Sequence, residues 1–223
     1  MEFCCISDTH NQHCKIDVPD CDMVIHAGDC TSRGTEAEIL DFLDWYGDLP
    51  HQHKVLIAGN HDFGFESNPI KYAVECGNRG ITYLQDESIV IDGIKIHGSP
   101  MQPEFCDWAF NCWRTEAEEV RNALHGFDYP FIGKFWDMIE NDTDIVVTHG
   151  PPKHILDACG NGHVGCELLA QHMQRVKPKF HVFGHIHEGA GDMHFAGTDY
   201  LNASSLDGRY KPIGHEIKIW EIK

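Results

Sequence analysis

Short runs of alternating or consecutive apolar residues recur along the chain, each closed by a polar or glycine-containing turn. Residues 2–7, 23–27, 53–58, 144–148 and 180–183 have the length and the β-branched or aromatic content of strands. Between them, residues 34–46 carry apolar side chains at 39, 40, 43 and 46, the stripe of a helix with one buried face. Helices are also expected at 69–76, 115–124, 131–141 and 165–176, the last ending before Pro178. Residues 88–91 and 94–97 flank Asp92-Gly93, a hairpin signal, and residues 200–203 and 216–222 supply late strands.

Strands alternate with helices early and cluster in the middle and at the end. This pattern favours a layered α/β domain in which two sheets pack together with helices outside. No internal repeat, low-complexity tract or linker divides the chain, so residues 1–223 are expected to form one domain.

Composition narrows the function classes. With 42% hydrophobic and 23% charged residues, the chain has the make-up of a globular protein. No apolar run approaches the ~20 residues of a membrane helix, and no secretory signal pattern opens the sequence, so a cytoplasmic setting without membrane attachment is expected. The formal charge of -18 argues against duplex nucleic acid as a partner. A small phosphate ester remains compatible with that charge if a bound divalent metal offsets it locally. Ten cysteines include no C-x-x-C pair, so they are expected to be reduced and to pack as small hydrophobes. Cys4 and Cys5, adjacent in a strand, face opposite sides and read as filling rather than as one ligand site.

Histidine changes the picture, because several of the 17 fall directly after the strand runs. Asp8-Thr9-His10 follows the first, Gly28-Asp29 the second and Gly59-Asn60-His61-Asp62 the third; Thr148-His149-Gly150 and Gly184-His185-Ile186-His187 follow two later ones. Strand C-terminal ends are where α/β folds build sites, and glycine before a ligand permits a sharp turn and close backbone approach. Carboxylate, imidazole and amide oxygen, without thiolate, suit a hard-to-borderline divalent ion. Asp8, His10, Asp29, Asn60, His149, His185 and His187 exceed what one tetrahedral ion takes. Sharing one carboxylate, they serve two ions roughly 3.5–4 Å apart.

The ordered set D-x-H, G-D, G-N-H-D, T-H-G and G-H-x-H resembles the calcineurin-like metallophosphoesterase superfamily. LPHQHKVLIAGNHD, GIKIHGSPMQPEF, THGPP, RVKPKFHVFGHIHEG and YLNAS are similar to its metallophosphoesterase-domain-containing subgroup, and together with the motifs cover most of the chain. The resemblance implies a four-layer α/β/β/α sandwich of two mixed sheets with outer helices and a dimetal site at the strand C-terminal ends. It implies Asp8, His10 and His187 on one metal, Asn60, His149 and His185 on the other, and Asp29 bridging. His61 resembles the family's catalytic histidine, which contacts phosphate and protonates the leaving oxygen after attack by metal-bound hydroxide. The implied activity is phosphodiester hydrolysis of small cyclic nucleotides such as 2′,3′-cyclic monophosphates. Phosphomonoesterase or phosphoprotein phosphatase activity is the alternative, and a non-catalytic binding scaffold is the rival from another class. Mn2+ is the expected metal, with Fe, Zn2+, Co2+ and Ni2+ also compatible with the ligands. The chain departs from the phosphoprotein phosphatases at Gly28-Asp29-Cys30-Thr31-Ser32-Arg33-Gly34, where Ser32 stands in place of the aspartate that supports their catalytic histidine.

Other residues carry paired readings. Arg33 and His163 are candidate substrate contacts beside Asn60 and His61, each set against a solvated loop position. Asp62 either orients His61 or caps the following turn. His26 is expected to be a packed strand histidine. Gly98-Ser99-Pro100 resembles a subgroup motif but also fits turn chemistry, and Phe105, Trp108, Phe110 and Trp113 are expected in the core rather than against substrate.

Overall fold

Alternation along the first strand sets the layers: Phe3 points to one side, Cys4 and Ile6 to the other, and all three are fully buried. The computed structural model describes residues 1–126, 128–160, 162–214 and 216–223. The chain runs through β1 (Glu2–Ile6), β2 (Met23–Ala27), α1 (Glu36–Asp48), β3 (His53–Ile57), α2 (Phe63–Ser67), α3 (Pro69–Gly77) and β4 (Thr82–Tyr83). There follow β5 (Glu87–Ile91), β6 (Ile94–Ser99), β7 (Gln102–Pro103), β8 (Asn111–Cys112), α4 (Glu116–Ala123), α5 (Gly133–Trp136) and β9 (Ile145–Thr148). The last part contains β10 (Ala158–Cys159), β11 (Gly162–His163), α6 (Glu167–Val176), β12 (Phe180–Phe183), β13 (Gly191–Phe195), β14 (Thr198–Asn202) and β15 (Ile219–Glu221).

Two mixed sheets result. The first has the order β15-β1-β2-β3-β4, parallel except for β15; the second has the order β13-β14-β12-β9-β6-β5, with a parallel centre and antiparallel edges. Phe3, Ile25 and Val55 of the first meet Ile96, Val147 and Val182 of the second in a shared apolar layer. The outer face of the first sheet takes α1, α2 and α3 through Ile39, Phe42, Leu43, Phe65 and Tyr72. The outer face of the second takes α5 and α6 through Trp136, Leu169 and Met173. The architecture is the four-layer α/β/β/α sandwich. Among the described residues, no helix is long and apolar enough to cross a membrane.

Local chemistry fixes the elements. Thr35 and Glu38 form a reciprocal capping box at the start of α1. Burial of Phe42 and Leu43 stabilises its seat by about 1.5–3 kcal/mol each. Asp92 (φ 49°) and Gly93 (φ 85°) occupy the left-handed conformations of a tight hairpin turn, as the Asp-Gly pair predicts. The helix expected at 131–141 is confined to Gly133–Trp136. Past Trp136 the chain closes with i→i+3 bonds, Met138 N to Phe135 O and Ile139 N to Trp136 O, and the Arg175 guanidinium caps the carbonyls of Trp136 and Ile139 at 3.2 and 2.9 Å. Strand β13, exposed along Asp192–Phe195, lacks the apolar pattern that would have announced it.

Candidate metal centre

Strands β1, β2 and β3 lie side by side and parallel, so the residues after them emerge at one edge of the first sheet. Strands β9 and β12, also parallel neighbours, bring the later motifs to the same place from the second sheet. Ser7 and Ser204 bridge the two groups, and Ser204 Oγ donates to Asp8 at 3.0 Å. The structure gathers all seven candidate ligands. Ligand atoms of Asp8, His10 and His187 lie within 4.8 Å of one another, as do those of Asp29, His149 and His185. Asn60 Oδ1 is 2.9 Å from His149 Nε2. Asp29 faces both groups, with Oδ2 3.7 Å from His10 and 3.4 Å from His149.

Imidazole orientation tests whether cations fit. Nδ1–H donates to a backbone carbonyl in His10 (Thr31, 3.1 Å), His149 (Ala27, 2.9 Å) and His187 (Asp207, 3.0 Å). Each Nε2 is thereby turned toward carboxylate oxygen, the outer hydrogen-bonding pattern of metal-ligating histidine. His10 Nε2 is buried without a hydrogen-bond partner, 3.9 Å from Asp8. A lone pair held between two buried carboxylates is a poor arrangement for protein alone and a good one around a cation. The residues fit a pair of divalent ions.

Titration follows the same geometry. Burial raises the Asp8 and Asp29 carboxyls, but the surrounding imidazoles, His187 and His149 foremost, hold both well below the usual carboxylate range. Burial lowers His149 and His187, yet Asp29 and Asp8 respectively lift them to about 9. His185, buried and beside His149, falls to about 4. Divalent ions placed here would displace protons from His149 and His187 and take over the neutralisation of Asp8 and Asp29.

Crowding explains the glycines better than turning does. A Cβ on Gly184 would lie 2.1 Å from Asp8 Oδ2, and one on Gly59 would lie 2.4 Å from both Asp29 N and Oδ1. Neither has a positive φ, so at these positions the expectation of a turn residue gives way to one of close packing. Gly28 combines both demands, with φ 98° and a Cβ position 2.6 Å from His149 Nδ1. Four of the candidate ligands take left-handed backbone themselves: Asp8, His10, Asp29 and His185 adopt φ of 53°, 39°, 56° and 68°. Left-handed backbone at non-glycine residues costs on the order of 1–3 kcal/mol each, and it concentrates at functional sites.

His61 stands at the mouth of the cluster. Its Nδ1–H donates to Ser32 O at 2.8 Å, leaving Nε2 to face Asp29 at 4.0 Å. A backbone carbonyl therefore does the orienting that a side-chain carboxylate would otherwise do. Asp62 does not contact the ring. It accepts from Gly59 N (2.8 Å), Cys30 N (3.3 Å), Thr31 N (3.0 Å) and Thr31 Oγ1 (2.7 Å), tying the loops after β2 and β3 together.

A cavity of about 550 Å³ opens over His61 and His10, walled by Trp108, Phe63 and Tyr210, with exposed Arg33 at its rim. Trp108, expected in the core, lies on the His61 ring with centroids 4.1 Å apart, while Phe110 is buried as expected. Phe105 is exposed and Trp113 half-buried against Tyr129. Tyr210 packs edge-on against His10 at 4.9 Å; no motif marks it in the sequence. His163 is not among the residues lining this cavity; its Nδ1 bonds Asp157 at 2.6 Å on an exposed hairpin. Gly98 and Ser99 have structural contacts, Gly98 against Leu84 and Ile57, Ser99 with its hydroxyl on Asp86. His26 is a buried strand histidine packed on Phe42, with Nδ1 accepting from Gly28 N.

The calcineurin-like phosphoesterase family model matches residues 1–189. Human metallophosphoesterase domain-containing protein 1 is 37% identical over 97% of this chain and 70% of its own length. A UPF0046 protein of Caenorhabditis elegans is 33% identical over 93% of this chain and 70% of its own. Among solved structures, one from Thermus thermophilus superposes with TM-score 0.56 at 14% identity, over 100% of this chain and 99% of that one, a likeness of fold.

Proposed function

Because the chain belongs to the calcineurin-like phosphoesterase family, whose members are metal-dependent phosphoric ester hydrolases, we propose that it is a phosphodiesterase of small cyclic nucleotides, 2′,3′-cyclic monophosphates first among them. The observation that carries this reading is the aromatic cavity opening directly over the carboxylate–imidazole cluster. Asp8, His10 and His187 would hold one divalent ion, Asn60, His149 and His185 a second, with Asp29 shared. When bound, such ions supply charge neutralisation at the phosphoryl oxygens and lower the pKa of an attacking water; Mn2+ is our choice for activity.

The chain's own residues do the rest. His61, held through Nδ1, presents Nε2 to the departing ribose oxygen and delivers the proton there. Trp108 fixes the plane of that imidazole from one side. Arg33 reaches the phosphate from the rim, and Trp108, Phe63 and Tyr210 offer apolar faces to a base. His163, on its separate hairpin, is not needed for this pose.

The test is a substrate panel on metal-stripped, Mn2+-reloaded protein: 2′,3′- and 3′,5′-cyclic nucleotides, a generic diester, a monoester and a phosphopeptide. Hydrolysis of the 2′,3′-cyclic nucleotides above the rest is expected. Monoester turnover without diester turnover would overturn the proposal.

A further inference from the structure

At the other end of the first sheet, β1, β2 and β3 bring together three side chains that the phosphoesterase chemistry does not use. Cys4 lies within β1, Cys21 two residues before β2, and His51 two residues before β3. A ligand atom from each lies within 4.8 Å of the other two. His51 Nε2 is 4.0 Å from Cys4 Sγ and 2.9 Å from Pro19 O, and Cys4 Sγ is 3.9 Å from that same carbonyl. Cys4 and His51 are buried, at 0% and 2% exposure, while half-buried Cys21 leaves a path from solvent. In the free protein His51 Nε2–H donates to Pro19 O and Nδ1 is buried with no hydrogen-bond partner, so the nitrogen that faces the thiols becomes a donor to an ion once the ring proton moves to Nδ1. The exposed acids that commonly cluster without a metal are absent from this set; its donors are sulfur and nitrogen.

We propose that Cys4, Cys21 and His51 form a thiolate–imidazole site for Zn2+, separate from the phosphoesterase centre. Zn–S bonds of ~2.3 Å and Zn–N bonds of ~2.0–2.1 Å place tetrahedral donors roughly 3.5–3.8 Å apart, so contraction from separations of up to 4.8 Å, by at most about 1.3 Å, closes the site. The loop carrying Cys21 supplies that movement, and Pro19 O or a water takes the fourth position. Burial keeps both thiols protonated in the free protein. Binding therefore exchanges two S–H protons for one ion while the His51 ring proton shifts from Nε2 to Nδ1, leaving two thiolates, a neutral imidazole and Zn2+ with no net charge. The ion ties the start of β2 and β3 to the middle of β1, on the order of 20 Å from the opposite strand ends where Asp29 and Asn60 emerge.

Thiolate donors separate this site from the other, which has none. Protein reduced and stripped of metal is loaded with Zn2+ and counted by elemental analysis, and in parallel loaded with Co2+ and scanned in the near ultraviolet. Three Zn2+ per chain and a thiolate-to-Co2+ charge-transfer band are expected. Cys21→Ser and His51→Gln should each bind two Zn2+, and Cys21→Ser should lose the band. Cys14→Ser, at an exposed cysteine, should keep three ions and the band. Equal zinc content in wild type and Cys21→Ser, absence of the band in reduced wild type, or its persistence in Cys21→Ser would each overturn the proposal. Failure here with intact diesterase activity leaves the catalytic reading standing, and loss of activity with the band present does the reverse.

Discussion

The ring of His61 is held at one nitrogen by a carbonyl and covered on one face by Trp108. Replacing it removes a proton donor without removing any of the seven candidate ligands. His61→Ala should keep the metal stoichiometry of the parent and lose about 10²–10⁴-fold in kcat; normal turnover with full metal content would remove its role. Asp86 makes a different residue-level prediction. Burial pushes its carboxyl up to about 6, although the Ser99 hydroxyl donates to it at 2.7 Å. A folded pKa above the unfolded value means stability that is full below about pH 4 and lost as pH rises through about 6. Asp86→Asn keeps the acceptor for Ser99 and tolerates the left-handed φ of 57°. It should gain about 1–2 kcal/mol at pH 8, the pKa arithmetic discounted for partial exposure, and little at pH 4, read by urea unfolding at both.

Elements that end on a candidate ligand were legible in the sequence because two signals coincide there: an apolar run of strand length and an abrupt Asp, Asn or His. Strands β2 and β12 have the predicted bounds, and β1, β3 and β9 differ by one residue at an end. The α5 region was misread because its apolar spacing is helical, while past Trp136 the backbone tightens to i→i+3 bonds and its carbonyls are capped by Arg175 from another element. The glycines were half legible: their presence before ligands was plain, but not which neighbour requires them. That difference is testable within the motifs. Gly184→Ala forces a methyl against Asp8 Oδ2 and Ser7 Oγ, whereas Cβ on Gly150, after His149, meets nothing within 4 Å. Gly184→Ala should lose metal and activity; Gly150→Ala should retain both to within about twofold, since a substitution free of contacts and strain is near neutral. Equal effects of the two would refute the crowding argument.

At the scale of the whole molecule, the candidate site depends on chain well beyond the motifs that announce it. The family match ends at residue 189, yet β14 completes the second sheet beside β12, and β15 covers the open edge of β1. Ser204 Oγ bonds Asp8 across 196 positions, His187 Nδ1 bonds Asp207 O, and Tyr210 packs on His10 and His187. These contacts were illegible because Asp207 and Tyr210 have no pattern around them, and because YLNAS resembles its subgroup without disclosing that Ser204 reaches a candidate ligand. Removing residues 190–223 should therefore abolish Mn2+ binding along with cooperative unfolding. A gentler change isolates the site from the fold. Ser204→Ala in the full chain deletes the hydroxyl proton shared between buried Asp8 Oδ2 (3.0 Å) and Asn202 Oδ1 (2.8 Å) and creates little space. Loss of such an outer partner should weaken Mn2+ affinity about 10–100-fold, with the unfolding midpoint of the metal-free protein nearly unchanged. Titration calorimetry and thermal unfolding on the same preparation separate the outcomes: unchanged affinity would show that Asp8 is positioned by the His185 amide and the β1 turn alone.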